Sequence, residues 1–152
     1  MNFDPPVSDR LSPATADGLL LLGRVFLGAI FVTSGFGKLL ALGAFATSLE
    51  SRGVPAAQVM ALVAAAVEFF GGLLIIIGLQ TRAAAVLLII FVVIATLIAH
   101  RYWDFTDAAA RRTQQSQFFK NLSIIGGFVL LIASGAGRYS IDRILKRRKD
   151  AG

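Results

Sequence analysis

Apolar residues fill four long stretches of this 152-residue chain, and each stretch carries or ends on a polar group that lipid should reject. The pattern predicts helices over residues 18–42, 55–79, 81–101 and 117–137. Each is close to the ~20 residues that a helix needs to cross ~30 Å of hydrocarbon. Each is also apolar all round, as a buried or lipid-facing helix must be. Hydrophobic residues make up 56% of the chain and charged ones 16%, more apolar surface than a soluble domain this small can hide. The expected fold class is therefore all-α, one integral membrane domain built as a four-transmembrane-helix bundle over residues 18–137.

The flanks are polar. Residues 1–17 hold Pro5, Pro6 and Pro13 and read as a flexible cytoplasmic tail that ends on a helix cap at Asp17. Ala44-Phe45-Ala46 has the small-residue pattern of a signal cleavage site, but the run before it is too long and contains Arg24 and Lys38. Residues 18–42 are therefore read as a retained helix. Residues 138–152 form a basic cytoplasmic tail with Arg138, Arg143, Lys146, Arg147, Arg148 and Lys149. They account for much of the net charge of +6. A basic cluster just after a span reads as an anchor on anionic lipid. No basic helix or aromatic-interleaved patch in a polar domain points to nucleic acid.

Four spans put both termini on one side of the membrane, together with the tight turn at 78–82. Arg82 and the basic tail make that side the cytoplasmic one, with both termini on it. Residues 43–54 and 102–116 then face outward, the second with Tyr102, Trp103 and Phe105 suited to an interfacial belt. The chain has no cysteine, which excludes thiol redox chemistry and iron–sulfur ligation by its own residues. Its one histidine, His100, cannot ligate haem from both sides, and no metal-ligand cluster is visible, so neither metal nor haem is expected.

The polar residues inside the spans carry the functional information. Glu68 stands midway through an uncharged run at 56–79, where a carboxylate costs several kcal/mol unless it is paired, neutralised or wetted. Arg24, Gly28, Phe31, Gly35 and Lys38 follow one another at spacings of four, three, four and three, which places them on one stripe of the first helix. The two cations are then separated by roughly 21 Å along the axis. Either cation alone reads equally well as snorkelling to the membrane surface. The glycines between them favour a helix interface. On the second helix Ala61, Ala64, Ala65, Glu68, Gly71 and Gly72 make a groove of small residues around the single carboxylate. Two readings of Glu68 stand side by side: a register-fixing ion pair, most plausibly with Arg24, or a proton-active, ligand-contacting acid. His100, Lys120, Asn121 and Lys38 all fall near the outer end of the bundle. Singly each is an ordinary interfacial residue. Together they suit a quinone head group or an oxyanion near the surface.

The ordered set of Arg24-Val25-Phe26-Leu27-Gly28, Ser34-Gly35-Phe36-Gly37-Lys38, Glu68 with Gly71-Gly72, Gly78-Leu79-Gln80-Thr81-Arg82, His100 and Phe118-Phe119-Lys120-Asn121 resembles the DoxX family over about residues 19–134. The resemblance implies a four-helix inner-membrane protein of a group often labelled oxidoreductases, with the activity of most members unassigned. Related DoxD-type subunits belong to a membrane thiosulfate–quinone oxidoreductase, and some members are associated with soluble sulfurtransferase or superoxide dismutase partners. It also implies that Arg24, Lys38, Glu68, His100, Lys120 and Asn121 form the polar core.

Three functions follow as expectations. The first is a quinone-linked oxidoreductase subunit working with a separate redox partner. In it Glu68 and His100 exchange protons, and Arg24, Lys38, Lys120 and Asn121 contact the ligand. The second is a non-catalytic accessory or anchor subunit of a larger membrane complex. The third is a small proton-coupled transporter using Glu68. The first and second require a protein partner, and all three require membrane lipid.

Overall fold

The computed structural model describes residues 11–150 and 152; residues 1–10 of the expected tail lie outside the described residues. The chain forms α1 (Pro13–Leu40), α2 (Leu42–Glu50), α3 (Ala57–Ile77), α4 (Thr81–Ala99), a 3₁₀ turn (Tyr102–Asp104), α5 (Ala108–Ser134) and α6 (Ile141–Asp150). Four of these helices, α1, α3, α4 and α5, are long and apolar enough to cross a membrane.

The helix ends differ from the sequence expectation, each for a local reason. α1 starts at Pro13, ahead of the expected start at 18, because Ser12 accepts from Thr15 N at 3.2 Å and Pro13 occupies the first turn, where its missing N–H costs nothing. Asp17, expected as the cap, instead accepts from the backbone N–H of Arg138 at 2.7 Å. α5 starts at Ala108, nine residues ahead of 117, because Asp107 accepts from Ala110 N at 2.7 Å and the polar residues that follow are sound helix formers. The outward segment after α1 is itself helical, as α2, and the basic tail holds α6.

α1 and α3 run antiparallel with their backbones in contact. A Cβ on Gly28 would stand 2.5 Å from Ile76 Cγ1 and 2.7 Å from the Gly72 carbonyl oxygen. One on Gly35 would stand 2.5 Å from Phe69 N. Only glycine permits this approach, and in lipid such close packing is a main source of helix association. α4 and α5 close the other half. Phe31, Ile75, Ala85, Leu88, Val92, Phe128 and Leu131 form the buried core between the helices. Phe31 meets Phe128 with ring centroids 5.5 Å apart. Phe26, Leu40, Phe70 and Leu130 point outward, as a bilayer-embedded surface requires.

The bundle has two unlike ends. One gathers the start of α1, the α3–α4 turn, the end of α5 and α6. The other gathers α2, the end of α4, the 3₁₀ turn and the first half of α5.

Candidate functional site

The register set by the glycine contact decides where each cation of α1 lands. Gly28 lies against Gly72, and Gly35 lies against Ala65 and Phe69. Glu68 is therefore level with the far end of α1, and Arg24 is level with the α3–α4 turn. The expected Arg24–Glu68 pair does not form. Glu68 Oε2 accepts from Lys38 Nζ, while its Oε1 accepts from Ser34 Oγ at 3.3 Å. Glu68 is 5% exposed, so an unpaired charge here would be expensive. Lys38 also stands 5.1 Å over the ring of Phe45 on α2.

Arg24 is 1% exposed and packs against Gly78 at the opposite end. Gly78 has φ 69°, and a side chain there would collide with the guanidinium. Arg24 Nη2 donates to the carbonyl of Tyr139. Asp142 on α6 accepts from the backbone N–H groups of Gln80 at 2.7 Å and Thr81 at 3.0 Å, and its own N–H donates to Gly78 O at 2.9 Å. Burial alone would raise the Asp142 carboxyl. The two backbone N–H groups and the nearby Arg24 charge outweigh it and hold the group below the usual carboxylate range. Arg24 and Asp142 thus lock the basic tail onto the α3–α4 turn.

At the other end a cavity of about 470 Å³ opens among α1, α2, α3, α4 and α5. Lys38, Glu68, His100, Lys120 and Asn121 all line it, so five of the six residues singled out in the sequence converge and Arg24 does not. Val63, Val67, Phe91, Ile94, Ile98 and Ile124 supply apolar walls. His100 closes α4, and its Nδ1 lies 2.7 Å from Gln114 Oε1. A carbonyl acceptor there places the ring proton on Nδ1 and leaves Nε2 to accept. Asn121 Nδ2 donates to Thr96 Oγ1 at 2.8 Å, and Thr96 Oγ1 donates to Val92 O at 2.6 Å. Lys120 donates to Gln117 Oε1.

Sequence reasoning assigned no role to Ser34 and Arg52, which line the cavity, and did not foresee that Gln114 meets His100 or that Thr96 orients Asn121. Ser34 precedes Lys38 by one helical turn, a spacing that places both on one face and marks it in the sequence. Gln114 is one of the polar residues at the opening of the fourth helix, and only the fold brings it to His100. Chemically the cavity offers an apolar slot lined by three cations, an amide, a carboxylate and an imidazole. That suits an apolar molecule with an electron-rich oxygen at one end.

Four apolar helices around such a pocket define a polytopic α-helical membrane protein. The DoxX family profile matches residues 19–101, and the chain belongs to the DoxX family. Lys120 and Asn121 lie beyond that match. The chain is 36% identical to the inner membrane protein YphA of Escherichia coli K12, over 82% of this chain and 89% of that protein. It is 33% identical to the inner membrane protein YqjF of the same organism, over 85% of this chain and 93% of that one. No solved structure matches the chain at a significant level.

Proposed function

We propose that this DoxX-family protein binds a quinone in the inner membrane, as a subunit of an oxidoreductase whose electrons come from a separate redox partner. The observation that carries the reading is the convergence of Lys38, Glu68, His100, Lys120 and Asn121, from four different helices, on one apolar-walled cavity. An isoprenoid quinone has the matching chemistry: an apolar body soluble in lipid and a head with two carbonyl oxygens.

A quinone supplies two-electron chemistry when bound, taking two electrons from a reduced partner and two protons to become the quinol. The residues of this chain account for the rest. Lys120 and the Asn121 amide donate toward a head-group oxygen. Lys38, held by Glu68, keeps positive charge at the same depth, where negative charge would develop. His100 Nε2 and Glu68 are the groups able to take up and release protons, with Gln114 and Ser34 holding their orientation. The apolar walls exclude water from the tail of the ligand.

The test is purification of the full chain in mild detergent with mass spectrometry of bound lipids and proteins. Wild type is expected to retain a quinone, and Glu68→Gln and His100→Ala to lose it by severalfold while keeping their helical content. Wild type with no retained quinone overturns the reading. Protein partners recovered without quinone would instead make the chain an accessory subunit.

A further inference from the structure

A second site lies at the opposite end of the bundle, where the proposed quinone chemistry has no part. A cleft of about 800 Å³ is bounded by the start of α1, the start of α4, the glycine turn after α5, and α6. Arg82, Arg138, Arg143, Lys146 and Arg147 line it, with Asp17 and Asp142 as the only acidic residues among its lining. Both carboxylates are committed to backbone N–H groups, Asp17 to Arg138 and Asp142 to Gln80 and Thr81. Among the described residues none of the five cationic side chains has a hydrogen-bond or ion-pair partner. Thr81, 1% exposed, also lines the cleft. The cleft is therefore a preformed site with excess positive charge.

α6 adds a second, independent observation. Arg143, Lys146 and Arg147 share one face, and Ile141, Ile144 and Leu145 share the opposite one. Ile144 is 52% exposed and Leu145 44%, so among the described residues none covers these two side chains. A basic face opposite an aliphatic one that carries a single long cation, Arg148, marks an element lying in the headgroup region, where such a side chain reaches back to the surface. Its depth is fixed by the Asp142 and Arg24 contacts, which tie it to the end of the spans.

We propose that this cleft binds the phosphodiester headgroup of an anionic phospholipid, with α6 lying in the interface and its Ile144–Leu145 face against the acyl boundary. The lipid is bound by charge: Arg82 and Arg143 set positive charge at the phosphate oxygens, and Lys146 and Arg138 complete the shell. The acyl chains run along the bundle, so a membrane lipid rather than a free anion fills the site.

The test is native mass spectrometry of the full chain released from nanodiscs that contain phosphatidylglycerol and phosphatidylcholine. Preferential retention of phosphatidylglycerol by wild type is expected. The R82Q/R143Q variant should lose it by roughly tenfold or more. R148Q/K149Q, which removes the same charge outside the cleft, should retain it, as should the charge-keeping R82K/R143K. Equal retention of the two lipids overturns the site. So does wild-type retention in R82Q/R143Q, and so does loss in R82K/R143K. A loss in R148Q/K149Q equal to that in R82Q/R143Q reduces the effect to diffuse attraction and overturns it too. Displacement of the lipid by inorganic phosphate at millimolar concentration would mark a free-anion site and overturn the lipid assignment.

Discussion

Glu68 and Lys38 illustrate how a charge survives in a span: each is the other's counter-ion, and the carboxylate is the deeper of the two, with its side chain 7% exposed against 29% for the lysine. Removing one partner strands the other. Lys38→Met is expected to destabilise the folded chain by about 3–5 kcal/mol, the usual cost of an uncompensated buried charge. Replacing both, as in the pair Lys38→Met and Glu68→Leu, is expected to recover most of that loss. A thermal or denaturant unfolding series in detergent on the two single variants and the double variant measures the coupling. A double variant as unstable as the sum of the singles would show that the two residues do not act as a pair. The presence of a polar core was legible in the sequence, since a lone carboxylate in an apolar run demands an explanation. The identity of its partner was not. Arg24 and Lys38 share one stripe, and only the antiparallel register of α1 against α3 chooses between them.

At the level of elements, that register rests on glycine. A Cβ on Gly72 would lie 2.8 Å from the Gly28 carbonyl oxygen and 2.9 Å from Phe31 Cβ, one a backbone atom and the other bonded directly to the backbone, neither able to move aside. Gly72→Leu is expected to abolish the α1–α3 contact and leave little monodisperse protein after detergent extraction. Gly37→Leu, on a glycine with open space around it, should behave as wild type. Size-exclusion profiles of the two variants test the contrast. Hydropathy revealed the four spans, because lipid imposes one requirement over some twenty residues. The short elements escaped it. α2 and α6 are nine and ten residues long and held by contacts distant in sequence, such as Asp142 on the Gln80 amide, which no local pattern announces.

For the molecule as a whole, the two ends carry different chemistry. Both described termini lie at the end that holds Arg82 and α6, and the cavity opens at the other. The basic end is expected to face the cytoplasm. Fusions at Gly152 report it: a cytoplasm-active reporter should be active there and a periplasm-active one silent, and the reverse result would invert the molecule. The tight seam between α1 and α3 also has a mechanical consequence. Two helices dovetailed backbone to backbone cannot slide or part by small steps, whereas α5 meets α1 through side chains alone, Phe128 on Phe31 and Gly127 beside Leu27. Side chains can change rotamer and re-pack; backbones cannot. Widening of the slot therefore falls to the walls outside that seam, α2 and the α4–α5 half, which swing like doors on a fixed jamb, and the bulk of guest the protein admits is set by how far they travel.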